Sequence, residues 1–94
     1  MKTTTEPLWP QLISHEVVID LASPYVVLGR LAAVYPEHLE LESVDVHDLR
    51  DTQTTREKYV LDCRLHGTRP NRARAWIAVR EIVALSRLAD VVVD

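Results

Sequence analysis

Five arginines lie between Cys63 and Arg80, a stretch that contains no acidic residue. A guanidinium donates paired hydrogen bonds to phosphate or carboxylate groups, and an aromatic ring offers a face on which a base can stack. The stretch therefore predicts an interaction site, here called the basic set: Arg64, Arg69, Asn71, Arg72, Arg74, Trp76 and Arg80. Its expected partner is single-stranded RNA or an acidic protein surface, which includes a second copy of this chain. The simpler alternative is a solvated loop with no specific role.

Opposite charge comes earlier in the chain. Residues 1–49 contain two basic and eight acidic side chains, whereas residues 50–94 contain nine basic and six acidic ones. Five of the acids lie on or beside one predicted strand and form the acidic set: Glu37, Glu40, Glu42, Asp45 and Asp48. A contact between the acidic set of one copy and the basic set of the next closes into a ring when it is repeated by rotation. The apolar residues 91–93 are expected to join that seam.

Catalytic and metal-binding patterns are weak. The four histidines show no paired ligand spacing, and Cys63 is the only cysteine. His38, Glu40 and Glu42 would share one face of a strand, which is more typical of a solvated surface than of a metal site. Cys63 falls in an apolar register and is expected to be a small buried hydrophobe. We therefore predict no catalytic residue, no metal and no cofactor.

Length and composition indicate one small domain. Ninety-four residues with 47% hydrophobic and 27% charged side chains are typical of a globular chain, and small domains often gain stability by oligomerising. We expect residues 1–6 to be disordered and residues 7–94 to form the domain. The net charge of −3 gives no general attraction for nucleic acid or acidic membranes. The single cysteine and the lack of a signal-peptide or membrane-spanning pattern favour the cytoplasm.

Strand patterns dominate the chain. Runs rich in β-branched residues predict strands over 16–21, 25–34, 38–49, 75–79 and 82–88, with a short helical turn after Pro10. Gly29 lies inside the second strand, where glycine usually marks a bend or a close approach of backbones. Residues 68–72 are expected to form a loop.

Two strands change parity along their length. Leu39 and Leu41 point to one face of the third strand, but Val44 and Val46 have the opposite parity. This pattern predicts a bulge near Glu42 and Ser43, at which the apolar face switches from one wall of the sheet to the other. A similar break precedes Ile82. Such bends favour a small coiled barrel over a flat sheet.

Residues 54–66 fit two structures. Alternation of Tyr59, Leu61, Cys63 and Leu65 with polar neighbours is typical of a strand. A threonine at position 54 or 55 and Gly67 would instead cap the two ends of a helix. We favour the helix because both ends carry a cap.

This order of elements resembles that of an Sm-like (LSm) barrel, and more generally a SH3-like barrel. The first Sm motif is echoed by residues 27–31 and 38–41, and the second by residues 77–82. The resemblance covers residues 8–88. It implies a mainly β fold: a strongly bent five-stranded Sm-like or SH3-like barrel with a short N-terminal helix and a helical insertion around residues 54–66.

The resemblance also implies ring assembly by strand pairing between neighbouring copies. In RNA-binding Sm proteins, an asparagine in the first motif and an arginine–glycine pair in the second line the base pocket. Here Glu40 falls near the asparagine position, and Glu81 follows Arg80 where the glycine is expected. The leading prediction is thus a non-enzymatic, homo-oligomeric interaction module. RNA binding through residues 64–74 is the alternative, and a small enzyme without a recognisable site comes third.

Overall fold

The computed structural model describes residues 2–93. Five strands and one α-helix form the framework: β1 (Glu16–Leu21), β2 (Tyr25–Val34), β3 (His38–Asp48), α1 (Arg56–His66), β4 (Arg72–Ala78) and β5 (Ile82–Arg87). Short 3₁₀ turns lie at Trp9–Leu12, Leu49–Asp51, Val79–Glu81 and Leu88–Asp90. In the part of the chain described, no helix is long and apolar enough to cross a bilayer.

The strands form one antiparallel sheet in the order β4-β3-β2-β1-β5. The mainly β, five-stranded fold expected from the sequence is confirmed. Because β1, β2 and β3 lie inside this order, β4 and β5 are the two edges. The turn Val79–Glu81 joins these edge strands at one end of the sheet.

Apolar residues are buried on both faces of the central strands. The inner face holds the main core: Val17, Ile19, Val27, Leu31, Leu39, Leu41 and Val44, with the turn at Trp9 and Leu12 packed against it. The outer face of β1 and β2 carries a second cluster, in which Val18, Val26 and Leu28 contact Val60 and Cys63 of α1. Because both faces of β1 and β2 are covered, these two strands contain uninterrupted runs of apolar residues.

A bulge lies in β3 where the parity changes. Ser43 adopts a positive φ of 52°, and the pairing with β2 shifts between Leu28 and Arg30. The predicted bulge is therefore confirmed, but the predicted switch of faces is wrong. The extra residue absorbs the change in parity, so Val44 joins Leu39 and Leu41 in the same core.

Gly29 allows β2 and β3 to approach each other beside this bulge. A Cβ at position 29 would lie 3.2 Å from the carbonyl oxygen of Glu42 and 3.2 Å from a methyl group of Leu41. These distances are tighter than ordinary van der Waals contact, so the position favours glycine.

Helix α1 has the two predicted caps. The Thr55 hydroxyl accepts a hydrogen bond from the Lys58 N–H (3.2 Å), and the Gly67 N–H donates to the carbonyl of Cys63 (2.8 Å). The strand interpretation of this segment is wrong because the helix packs its own apolar stripe on the outer face of the sheet. β4 begins at Arg72, three residues earlier than predicted, since Arg72 pairs with Val44 across the sheet.

Candidate interaction surfaces

The fold divides the basic set between two ends of β4. Arg64 lies on α1, Arg69 and Asn71 lie in the connection to β4, and Arg72 begins the strand. Arg80 lies in the turn beyond the other end, and six residues of extended chain separate Arg72 from Ala78 by about 20 Å. Arg80 is therefore separated from the residues at the start of β4, while Arg74 and Trp76 lie along the strand between the two ends.

The arginines also differ in what they contact. Arg74 lies 3.6 Å from a carboxylate oxygen of Glu40 and 3.8 Å from one of Glu42. Arg64, Arg69, Arg72 and Arg80 are exposed, and within residues 2–93 they have no carboxylate oxygen inside 4.0 Å. These four guanidinium groups are the ones available to a phosphate or to an acidic partner.

Asn71 holds the structure together instead of facing a ligand. Its Oδ1 accepts from the Val46 N–H (3.1 Å), and its Nδ2 donates to the Val46 carbonyl (2.9 Å) and to Asp45 Oδ1 (3.3 Å). Its own N–H donates to the carbonyl of Val44 (2.8 Å). The side-chain amide thus imitates a strand residue and extends the pairing of β3 beyond β4.

Most of the acidic set is engaged within the chain. Asp45 is buried, which raises the pKa of its carboxyl, and it accepts hydrogen bonds from the Tyr59 hydroxyl and Asn71. Two hydrogen bonds from the Arg50 side chain (2.9 and 2.8 Å) lower the pKa of Asp48 to about 2. These carboxylates lie in the interior strand β3 and on its flank, not at an edge.

The remaining acids of the set occupy different surroundings. Glu42 pairs with Arg30 and Arg74, and Glu40 contacts Arg74. Glu37 is exposed in the turn between β2 and β3, where its carbonyl accepts from the Val79 N–H (3.0 Å). Pro36, Glu37, Val79 and Arg80 line a shallow hollow there. The segments that echo the two Sm motifs therefore meet at this end of the sheet.

An aromatic cleft adjoins this end and was missed in the sequence, apart from Trp76. Tyr35, His38 and Trp76 line it. Trp76 Nε1 donates to Glu40 Oε1 (2.9 Å), and the Tyr35 hydroxyl donates to the same oxygen (3.3 Å). One carboxylate oxygen thus fixes two aromatic side chains that remain 57% and 49% exposed.

The groups considered for nucleophilic or metal chemistry are placed differently. Cys63 is buried on the face of α1 that packs against the sheet, and burial together with the negative charges of Asp45 and Asp62 raises the pKa of its thiol to about 11. His38, Glu40 and Glu42 share the outer face of β3 as predicted, but both glutamates are paired with arginine. Over residues 2–93, no three potential ligands are grouped closely enough to hold a metal ion.

Comparison with known proteins supports the fold. No protein-family model matches the sequence, and a search of curated proteins finds no match. The structure is similar to that of the Sm protein of Pyrococcus abyssii, solved in complex with a uridine heptamer, with a TM-score of 0.57 and 12% identity. The match covers 84% of this chain and 90% of that one. The chain therefore has an Sm-like fold, as its order of elements suggested.

Proposed function

We propose that this protein is a non-enzymatic assembly module of the cytoplasm, whose copies join edge to edge into a closed ring. The observation that carries the proposal is the sheet order, which leaves one long side of β4 and one of β5 without a strand partner. Unpaired N–H and C=O groups along an edge form a template for another strand. Pairing β4 of one copy with β5 of the next satisfies both edges.

Two common blocks to strand pairing, charged residues and proline, are absent from most of the β5 edge. Residues 82–86 contain no charge and no proline, and natural edges are commonly blocked by one or the other. Val83 lies at a register shift, faces solvent with 70% exposure and is flanked by apolar neighbours. Val92, at 78% exposure, adds further apolar surface near the end of the chain. A partner strand on β5 would cover an edge that otherwise promotes aggregation.

Charge contributes to partner choice in this proposal. β4 carries Arg72 and Arg74 along its outer face, so the two edges differ in character and favour a head-to-tail contact over a symmetric one. Most carboxylates of the acidic set are already neutralised within the chain. Main-chain hydrogen bonds between edge strands therefore supply most of the affinity, and the exposed arginines adjust the association rate and the choice of partner. Changing Arg69, Arg72 and Arg74 together to Glu is expected to weaken the oligomer.

A lysine placed on the β5 edge tests this proposal. Val83→Lys puts a charge where the neighbouring β4 would pair, and the expected result is a shift towards monomer in sedimentation velocity. Leu65→Lys is the matched control, because Leu65 is a 50% exposed apolar residue that lies on α1 and belongs to neither edge strand. Equal sedimentation of wild type and both variants as one oligomer would show that β5 is not the seam.

RNA binding is the second candidate, and two observations favour it. Arg64, Arg69 and Arg72 are exposed near the junction of α1 and β4 without carboxylate partners among residues 2–93. The similar Sm protein was solved with a uridine heptamer. We infer that this surface contacts phosphates, with Arg80 as a separate contact at the far end of β4.

Salt dependence tests the RNA candidate. Binding of a labelled uridine heptamer should weaken linearly on a log–log plot against salt, with a slope of about −0.7 per phosphate contacted. Arg69→Ala and Arg72→Ala should each make the slope shallower by about one contact. Arg50→Ala is the control, since Arg50 is already held by Asp48. No binding at low salt, or an equal loss with Arg50→Ala, would reject this candidate.

A further inference from the structure

The aromatic cleft beside the β2–β3 turn has the chemistry of a cation site. We propose that Tyr35, His38 and Trp76, supported by Glu40, bind a methylated ammonium group. Such cations are attracted to the faces of tryptophan and tyrosine rings, and a nearby carboxylate adds direct charge attraction. The cleft is shallow and open to solvent, with a volume of about 390 Å³.

The two larger rings are held in place before any ligand arrives. Trp76 on β4 lies opposite Glu40 on β3, and its indole N–H donates to that carboxylate. Tyr35 reaches the same oxygen from the turn between β2 and β3. Both side chains nevertheless stay about half exposed, so the cleft presents aromatic surface to solvent. Ordered, exposed rings lose little conformational entropy on binding.

Glu40 places a negative charge beside the cleft. Its Oε1 faces the two aromatic side chains, whereas its Oε2 lies 3.6 Å from Arg74 Nε. Arg74 is shared with Glu42, and Glu42 also pairs with Arg30, so the charge of Arg74 does not belong to Glu40 alone. Tyr35 and Trp76, which line the cleft with His38, carry no positive charge. A cation in the cleft would lie beside two aromatic side chains and the Glu40 carboxylate, whereas a phosphate there would be repelled by that carboxylate.

This site is separate from strand pairing. Assembly through β4 uses its main-chain edge, while Trp76 stands on the outer face of the sheet beside Glu40. The cation site is therefore expected in the protein whatever its oligomeric state, and its failure would leave the edge-pairing proposal untouched.

Choline and its neutral isostere 3,3-dimethylbutan-1-ol distinguish a cation site from an apolar one. We expect choline to shift the indole N–H resonance of Trp76 in a saturable way at about pH 8, where imidazole is neutral. It should bind at least about fivefold more tightly than the isostere. The Trp9 indole, packed on the core, is the internal reference. The Nα-acetyl derivative of trimethyl-lysine, tested alongside, shows whether the source is a small metabolite or a modified side chain.

Two substitutions on the same face of β3 provide the decisive pair. Glu40→Gln keeps an oxygen that can accept from both aromatic side chains but removes the charge, and should abolish the preference for choline over the isostere. Glu42→Gln removes an equal charge two residues away, outside the cleft, and should preserve it. Equal shifts with choline and isostere, no shift with either cation, or a response to uridine alone would overturn the proposal.

Discussion

Asn71 shows how one side chain joins three elements. Its amide bonds to both backbone polar groups of Val46 and to Asp45, and Asp45 also receives the Tyr59 hydroxyl of α1. The connection after α1, the strand β3 and the helix therefore meet at one small polar cluster. This cluster lies at the start of β4, where the pairing of β4 with β3 begins at Arg72.

Removal of this amide should lower stability. Asn71→Ala eliminates four side-chain hydrogen bonds, one of them from Arg72, and leaves Asp45 with fewer donors, so we expect a loss of about 1–3 kcal/mol in the free energy of unfolding. Chemical denaturation at a fixed protein concentration measures the loss. Gln53→Ala, which removes an exposed amide in the loop before α1, should change stability by less than about 0.5 kcal/mol. Equal effects of the two changes would contradict this role for Asn71.

Cys63 should react slowly in the folded protein. Its pKa is raised from 9.0 to about 11, so the thiolate fraction near neutral pH is reduced by about a hundredfold, and burial restricts access further. Iodoacetamide labelling followed by mass spectrometry should therefore be at least a hundredfold slower in native than in denatured protein. Comparable rates would show that the thiol is accessible and ionised.

The raised pKa of Cys63 also determines in which direction stability changes with pH. Because the folded-state pKa of Cys63 lies above the unfolded value, the unfolded chain releases this proton first as pH rises. Its contribution to stability is complete below about pH 9 and is lost progressively towards pH 11.

Helix α1 ends at a backbone conformation that only glycine adopts easily. Gly67 has φ 86° and ψ 165°, although a Cβ there would meet no atom within 4 Å. Gly67→Ala should therefore cost about 1–3 kcal/mol through backbone strain alone. Urea unfolding measures this cost, with His66→Ala, at an exposed position that is helical, as the control. A neutral Gly67→Ala would contradict the importance of this cap.

Local signals predicted these elements well. The caps of α1 lie within a few residues of the helix they bound, and the parity change that indicates the β3 bulge is visible in four neighbouring residues. The face to which the side chains point after the bulge was not predictable in the same way. Whether Val44 continues the old face or starts a new one depends on how β2 and β4 pair around it.

The interaction surfaces depended on contacts that the sequence does not display. Trp76 meets Glu40 across 36 positions, and Asn71 meets Val46 across 25. Residue type alone therefore assigned Asn71 to the basic surface, whereas the fold uses it for strand pairing. Tyr35 was not among the predicted site residues, because its contact with Glu40 becomes visible only after β2 and β3 are paired.

At the scale of the whole molecule, two features determine which surface is available for interactions. The sheet has two edges, and both faces of β1 and β2 are covered. The helical insertion covers the outer face of the central strands, and the N-terminal turn covers one side of the main core. The edges, the exposed arginines and the aromatic cleft remain. In the proposed assembly, edge pairing would use the first of these, and the proposed ligands would use the other two.

Native mass spectrometry of protein purified at low salt tests edge pairing most directly. The account predicts one dominant mass, an integer multiple of the 10.7 kDa chain, that persists on dilution and moves towards monomer in Val83→Lys. Absorbance at 260 and 280 nm on the same sample reports any bound nucleic acid. A monomer at every concentration in the wild type would contradict the central claim, because both edges of the sheet would then be stable in water without a partner.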